Sequence, residues 1–236
     1  MPIDGAQQTP RGTVSLAERD YRVLTVVLAL CAGIAVAYAA LFPGPTPAST
    51  AVIRDAIVFA VLAIIADEMS VEVSDRVTLS AGNLPILLAI MFTGRIPAIG
   101  VAVIVGLWGA WRESSREVVV YNAANYLVSA FVAALAFDAL LGPLDVDLNS
   151  LTVGLLLAGA VAAVTWEATN LSLLSVGMRV KYRRAFAAFW REEMPPFLRS
   201  LGVLLLLGLA IAALYAAAGI IAVALLFVPL FASQYM

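Results

Sequence analysis

Long apolar runs, nearly free of charge, set the terms for this chain. Eight can be drawn: residues 21–42, 51–66, 79–93, 96–111, 118–141, 151–178, 201–218 and 219–235. Crossing the hydrocarbon core of a bilayer takes about 20 residues of helix, within a range of about 17–25. The chain is 63% hydrophobic and 13% charged, against roughly 25% charged in soluble domains. A soluble protein of this length could not hide so much apolar surface in one core. The sequence therefore predicts an all-α fold: a polytopic transmembrane helix bundle of about eight spans.

The second, third and fourth runs are short for full crossings. The count falls to six if the third and fourth form a re-entrant hairpin. Arg95, at the turn between them, argues against that, because a hairpin tip would leave its charge at membrane depth at a cost of about 3 kcal/mol or more. Residues 1–14 read as a mobile polar tail, and residues 15–236 as a single multi-pass membrane domain. Ser15 followed by Glu18 is a capping-box pattern, so the first helix is expected to begin there. Its apolar run exceeds the roughly 7–15 residues of a signal-peptide core, and the proline-rich stretch after Phe42 reads as a loop, not a cleavage site. The single cysteine, Cys31, lies in this run and reads as a lipid- or helix-facing residue.

Orientation follows from the basic residues. With the N-terminus inside, 12 of the 14 Lys and Arg residues fall in inner segments, leaving Arg54 and Arg95 outside. Both termini are thus predicted cytoplasmic. Two inner segments carry further pattern. Residues 71–79 alternate apolar and polar around Ser74, which suits a short β-hairpin or an extended loop. Residues 181–194 place Tyr182, Phe186, Phe189 and Trp190 on one helical face, away from Lys181, Arg184 and Arg191. That pattern predicts a cytoplasmic amphipathic helix in the membrane interface, those four residues touching the bilayer, or else a helix packed on the bundle. Either way its basic face would lie near anionic headgroups. In the fourth run, Ala102, Gly106 and Ala110 recur every four residues, as a close-packing face does.

The chain contains no histidine. That removes the zinc motif HExxH and any Ser–His dyad. The paired glutamates Glu192 and Glu193 superficially resemble an intramembrane-protease signature, but the following arginine is two positions late and such enzymes also need histidines. No phosphate-binding glycine loop is present. The sequence predicts no catalytic residue, no metal site and no cofactor, and nothing in it points to nucleic acid.

The polar residues within the spans form one set. Asn122 and Asn125 are three apart near the start of the fifth run, and Glu167 and Asn170 are three apart in the sixth. Each pair shares a helix face. Ionisable groups in a span are costly and face the bundle interior or a wet cavity. The four therefore read as a ligand, ion or proton site, or as an interhelical hydrogen-bond clamp. A short connection joins the two runs, so they are expected to be antiparallel neighbours that bring the set together. Trp166 and Tyr121 flank the set. Asn83 and Pro85 mark a helix start, and Asp138, expected to reach water, is given no role.

Val77, Thr78, Leu79, Ser80 and Ala81, then Phe92, Thr93 and Gly94, then Tyr121 through Asn125, form a pattern. It resembles the N-terminal multi-pass membrane region of bacterial cyclic-di-GMP signalling proteins, in which an HD-GYP phosphodiesterase or GGDEF cyclase domain follows. The run from Thr169 and Asn170 through Phe189 and Trp190 to Pro229 is similar to the closing part of that region. The resemblance implies a non-enzymatic sensory or anchoring module in the bacterial cytoplasmic membrane, with the lipid bilayer and a cytoplasmic signalling domain or protein as partners. It brings no catalytic residue. The chain stops at Met236, where an output domain would begin, so a stand-alone relative and a truncated product both stay open. A weaker likeness, through Asn83 to Ile86 and Gly94, Gly100 and Gly106, is to the substrate-binding S-components of vitamin transporters, which usually have six spans. It implies a small-molecule uptake subunit instead. Oligomeric state is not legible.

Overall fold

The computed structural model describes residues 16–46, 49–68, 71–74, 77–79, 82–111, 115–148, 150, 152–183, 190–191 and 194–232. The expected N-terminal tail, Phe186 and Phe189 lie outside these residues. The elements are α1 (Leu16–Leu41), α2 (Thr50–Glu68), β1 (Val71–Ser74), β2 (Val77–Leu79), α3 (Asn83–Thr93), α4 (Arg95–Trp111), α5 (Arg116–Leu141), α6 (Val153–Tyr182) and α7 (Met194–Ala232). The short ribbon pairs antiparallel, Val71 opposite Leu79 and Glu72 opposite Thr78. Everything else is a helix bundle.

The helices pack because their small residues share one side. Ala130, Ala133 and Ala134 of α5 meet Ala158 and Ala162 of α6 in a core that also holds Phe59, Ile86, Leu88 and Met91. With little hydrophobic drive between helices in lipid, such close backbone approach supplies the attraction. Gly106 carries α4 onto α5: a Cβ there would lie 3.1 Å from Ala123 Cα. Together with fully buried Ala102, it makes the expected packing face, and the side chain of Ala110 lies outside the described residues. In α1, Tyr21, Thr25, Leu28, Ala32, Ala35 and Ala39 recur every three or four residues and are buried. The other face of α1 exposes Val23, Val26, Val27, Leu30, Cys31 and Ile34. A continuous bare apolar stripe of that kind belongs in lipid.

Four helical stretches among the described residues are long and apolar enough to cross a membrane: Leu16–Leu41, Arg116–Leu141, Val153–Tyr182 and Leu206–Phe227. This does not support eight spans. The physical reasons lie in the short runs. Helix α2 carries Arg54, Asp55, Asp67 and Glu68. Helix α3 has 11 residues, a rise of about 16 Å, roughly half the 30 Å hydrocarbon core. The last two runs are not separated by a loop but form the single element α7, interrupted at Gly219 by φ 75° and ψ −173°.

Helix α3 is nonetheless not a hairpin tip at mid-depth. From Leu84 to Thr93 every residue is buried, as befits a helix that is apolar all round. Its first residue, Asn83, bonds to Glu167, which sits at the midpoint of α6. The other end breaks at Gly94, with φ 80° and ψ 175°. There Arg95 donates to Asp138 near the end of α5 and, at 2.8 Å, to the carbonyl of Phe42 just beyond α1. The α3–α4 joint is therefore level with the ends of long helices. The side chains of Arg95 and Asp138 are only 13% and 10% exposed. Asp138 does not reach open water as expected; it is closed over as the partner of Arg95.

Candidate functional site

Helices α5 and α6 run antiparallel, as their short connection predicts. Tyr121 donates its hydroxyl to the Leu173 carbonyl, Asn125 meets Asn170, and Tyr126 meets Trp166 edge-on at 5.5 Å between ring centres. Glycine makes the first approach possible: a Cβ at Gly177 would lie 2.8 Å from the Tyr121 ring.

Within this frame the four polar residues part into three environments. Asn125 donates its amide to Asn170 Oδ1 at 2.7 Å and to the Asn170 carbonyl at 3.4 Å. The Ser129 hydroxyl donates to Asn125 Oδ1 at 3.3 Å. That is a satisfied interhelical clamp. Glu167, one turn from Asn170, turns instead to α3. Its Oε1 accepts from Asn83 Nδ2 at 2.9 Å. Its Oε2 has no hydrogen-bond partner among the described residues, although the residue is only 5% exposed. The adjacent indole Nε1 of Trp166 is likewise buried and unpartnered. Tyr126 is within electrostatic reach of Glu167. Asn122 joins neither group. It lines a separate recess with Tyr21, Tyr121 and Lys181.

The expectation of one shared cluster is thus corrected in part. Asn125 and Asn170 come together, Glu167 lies beside them on the same helix with a different partner, and Asn122 stands apart. Asn83 was read only as a helix start. It is one, but it also bonds the buried carboxylate, as its polar type inside apolar surroundings could have signalled. Of the four expected interface residues, Tyr182 is exposed at the end of α6. Trp190 is half-buried and packs with Leu171, Leu174 and Met178 of α6. Phe186 and Phe189 are outside the described residues.

Chemically, Glu167 offers one free carboxylate oxygen, and Trp166, the preceding residue on α6, offers one free N–H donor on a different face of the helix. The carboxylate can receive a proton, a cation or a donor group at Oε2, and the indole can receive an acceptor. Among the described residues no three His, Cys, Asp or Glu side chains group as a metal site. No family model, curated protein or solved structure compared with the chain matches it.

Proposed function

We propose that the chain is a non-enzymatic sensory or anchoring module of a bacterial signalling system, held in the cytoplasmic membrane by its helix bundle, and that Glu167 is its receptor group. The observation that carries this reading is the half-satisfied carboxylate. A buried charge with an unmade hydrogen bond costs several kcal/mol. A group kept only to clamp helices would have its polar atoms engaged, as Asn125 has. Glu167 has not, and what completes it is the ligand: a proton, a monovalent cation or a small amine.

Trp166 is a built-in reporter of that event. The test titrates the purified chain in neutral detergent with pH, sodium, potassium and ethylammonium while following tryptophan fluorescence. A saturable change that vanishes in Glu167→Gln and shrinks in Trp166→Phe is expected. No response to any of the four, or an unaltered response in Glu167→Gln, would overturn the receptor role. Formation or breakdown of cyclic dinucleotides that tracks the protein peak would overturn the non-enzymatic reading. An ATPase pair encoded beside the gene would favour an uptake subunit instead, and a signalling domain just downstream the present reading.

A further inference from the structure

The recess that holds Asn122 is separate from Glu167 and has its own chemistry. It lies between the start of α1, the start of α5 and the end of α6, with a volume of ≈ 170 Å³, room for about five water-sized groups. It is lined by Tyr21, Tyr121, Asn122, Gly177, Lys181 and Tyr182, with half-buried Val118, Leu174 and Met178 as its apolar part. Lys181 Nζ stands 5.4 Å from the centre of the Tyr21 ring and 5.2 Å from that of Tyr182. The two rings fix the ammonium at the mouth.

The carboxylates nearest the mouth are held by groups other than that ammonium. Glu117, within electrostatic reach of Lys181, is taken by Arg22 at 3.2 Å and by the Ser115 hydroxyl at 3.0 Å. Glu18 also pairs with Arg22, at 3.3 Å, and Asp20 lies 4.0 Å from Arg183. Among the described residues Lys181 has no carboxylate within ion-pair distance, and the amide of Asn122 has no hydrogen-bond partner. A fixed cation and a free amide donor thus share one recess, at helix ends that carry exposed Tyr182 and the basic Arg22, Arg179 and Arg183. This is the level at which a bilayer presents its headgroups, and tyrosines and basic residues gather there.

We propose that this recess binds the phosphodiester of an anionic phospholipid. Lys181 and Asn122 donate to the phosphate oxygens, Tyr21 and Tyr182 hold the ammonium in place, and Leu174 and Met178 meet the start of an acyl chain. A soluble phosphate would have no use for that half-buried apolar lining, which favours a lipid as the source.

The full chain in neutral detergent tests this by thermal unfolding with dioleoylphosphatidylglycerol, dioleoylphosphatidylcholine or inorganic phosphate added. Phosphatidylglycerol well above its dissociation constant is expected to raise the unfolding temperature by roughly 5 °C over phosphatidylcholine. The increment should fall by at least half in Lys181→Met and in Asn122→Leu and be retained in Lys181→Arg. If Lys181→Met does not fold, Asn122→Leu and native mass spectrometry of bound lipid decide. Equal shifts from the two lipids, or an increment untouched by both substitutions, would overturn the site. An equal shift from inorganic phosphate would overturn the lipid as its occupant.

Discussion

Asn125 and Glu167 are both polar, both buried and both on the α5–α6–α3 seam, yet neutral replacements of the two have different consequences. Replacing Asn125 by Leu strips Asn170 and Ser129 of a shared partner. Stability should fall by about 1 kcal/mol, since an interhelical hydrogen bond in lipid averages roughly 0.6 and reaches about 1.7. Replacing Glu167 by Gln keeps the acceptor for Asn83 and removes a charge, so stability should hold or rise. Glu167→Ala leaves Asn83 Nδ2 buried without its acceptor and should cost about 1–3 kcal/mol. Thermal unfolding of the three variants in one detergent checks the order. If Glu167→Gln unfolds as readily as Glu167→Ala, the charge itself holds the helices together. The sequence made the polar residues conspicuous, because each stands out in an apolar run. It could not say who pairs with whom. Asn83 and Glu167 are 84 residues apart, and only the depth at which α3 begins decides that they meet. Likewise, spacing put Asn122 and Asn125 on one face, but a face about a third of a turn wide can serve two neighbours, α6 at Asn125 and the α1–α6 recess at Asn122.

At the scale of elements, the runs were legible and their ends less so. Apolar periodicity placed α1, α5 and α6 to within a few residues, because a helix bounded by charge and glycine leaves a clear edge. The short runs misled, since a length count cannot see that α3 is a buried half-length helix, nor that α7 continues through Gly219. Both breaks rest on the same device. Gly94 (φ 80°, ψ 175°) and Gly219 (φ 75°, ψ −173°) adopt one backbone conformation, open to glycine and strained for any other residue. They differ in surroundings. A Cβ at Gly94 would lie 3.0 Å from Thr46 Cβ, whereas at Gly219 nothing stands within 4 Å. Gly219→Ala should therefore carry the backbone strain alone, about 1–3 kcal/mol, and Gly94→Ala that strain plus a displaced α1–α2 loop. Comparison of their unfolding temperatures should show Gly94→Ala the lower. The reverse order would mean that the break in α7, and not the α3–α4 joint, is the more tightly held.

Across the whole molecule the charges divide by end. The start of α1, the start of α5 and the end of α6 gather Arg22, Arg116, Arg179, Lys181 and Arg183 at one pole. Arg54 and Arg95 belong to the other. There each is neutralised: Arg54 pairs with Asp55 at 2.7 Å, and Arg95 with Asp138. Asp55 in turn accepts the Tyr215 hydroxyl of α7. Basic residues thus gather at the first pole, and basic segments resist translocation. The charge distribution predicts that the pole with Lys181 faces the cytoplasm. In a Cys31→Ser background, two positions read this out in intact cells with a membrane-impermeant thiol reagent. Gly142 is exposed, with open space where a side chain would go, and lies at the Arg95 end of α5, so Gly142→Cys should label from outside. Leu16 is exposed at the opposite pole, so Leu16→Cys should label only after the cells are permeabilised. Labelling in the reverse pattern would invert the bundle. It would also place the Lys181 recess in the leaflet away from the cytoplasm, where anionic headgroups do not give the same attraction.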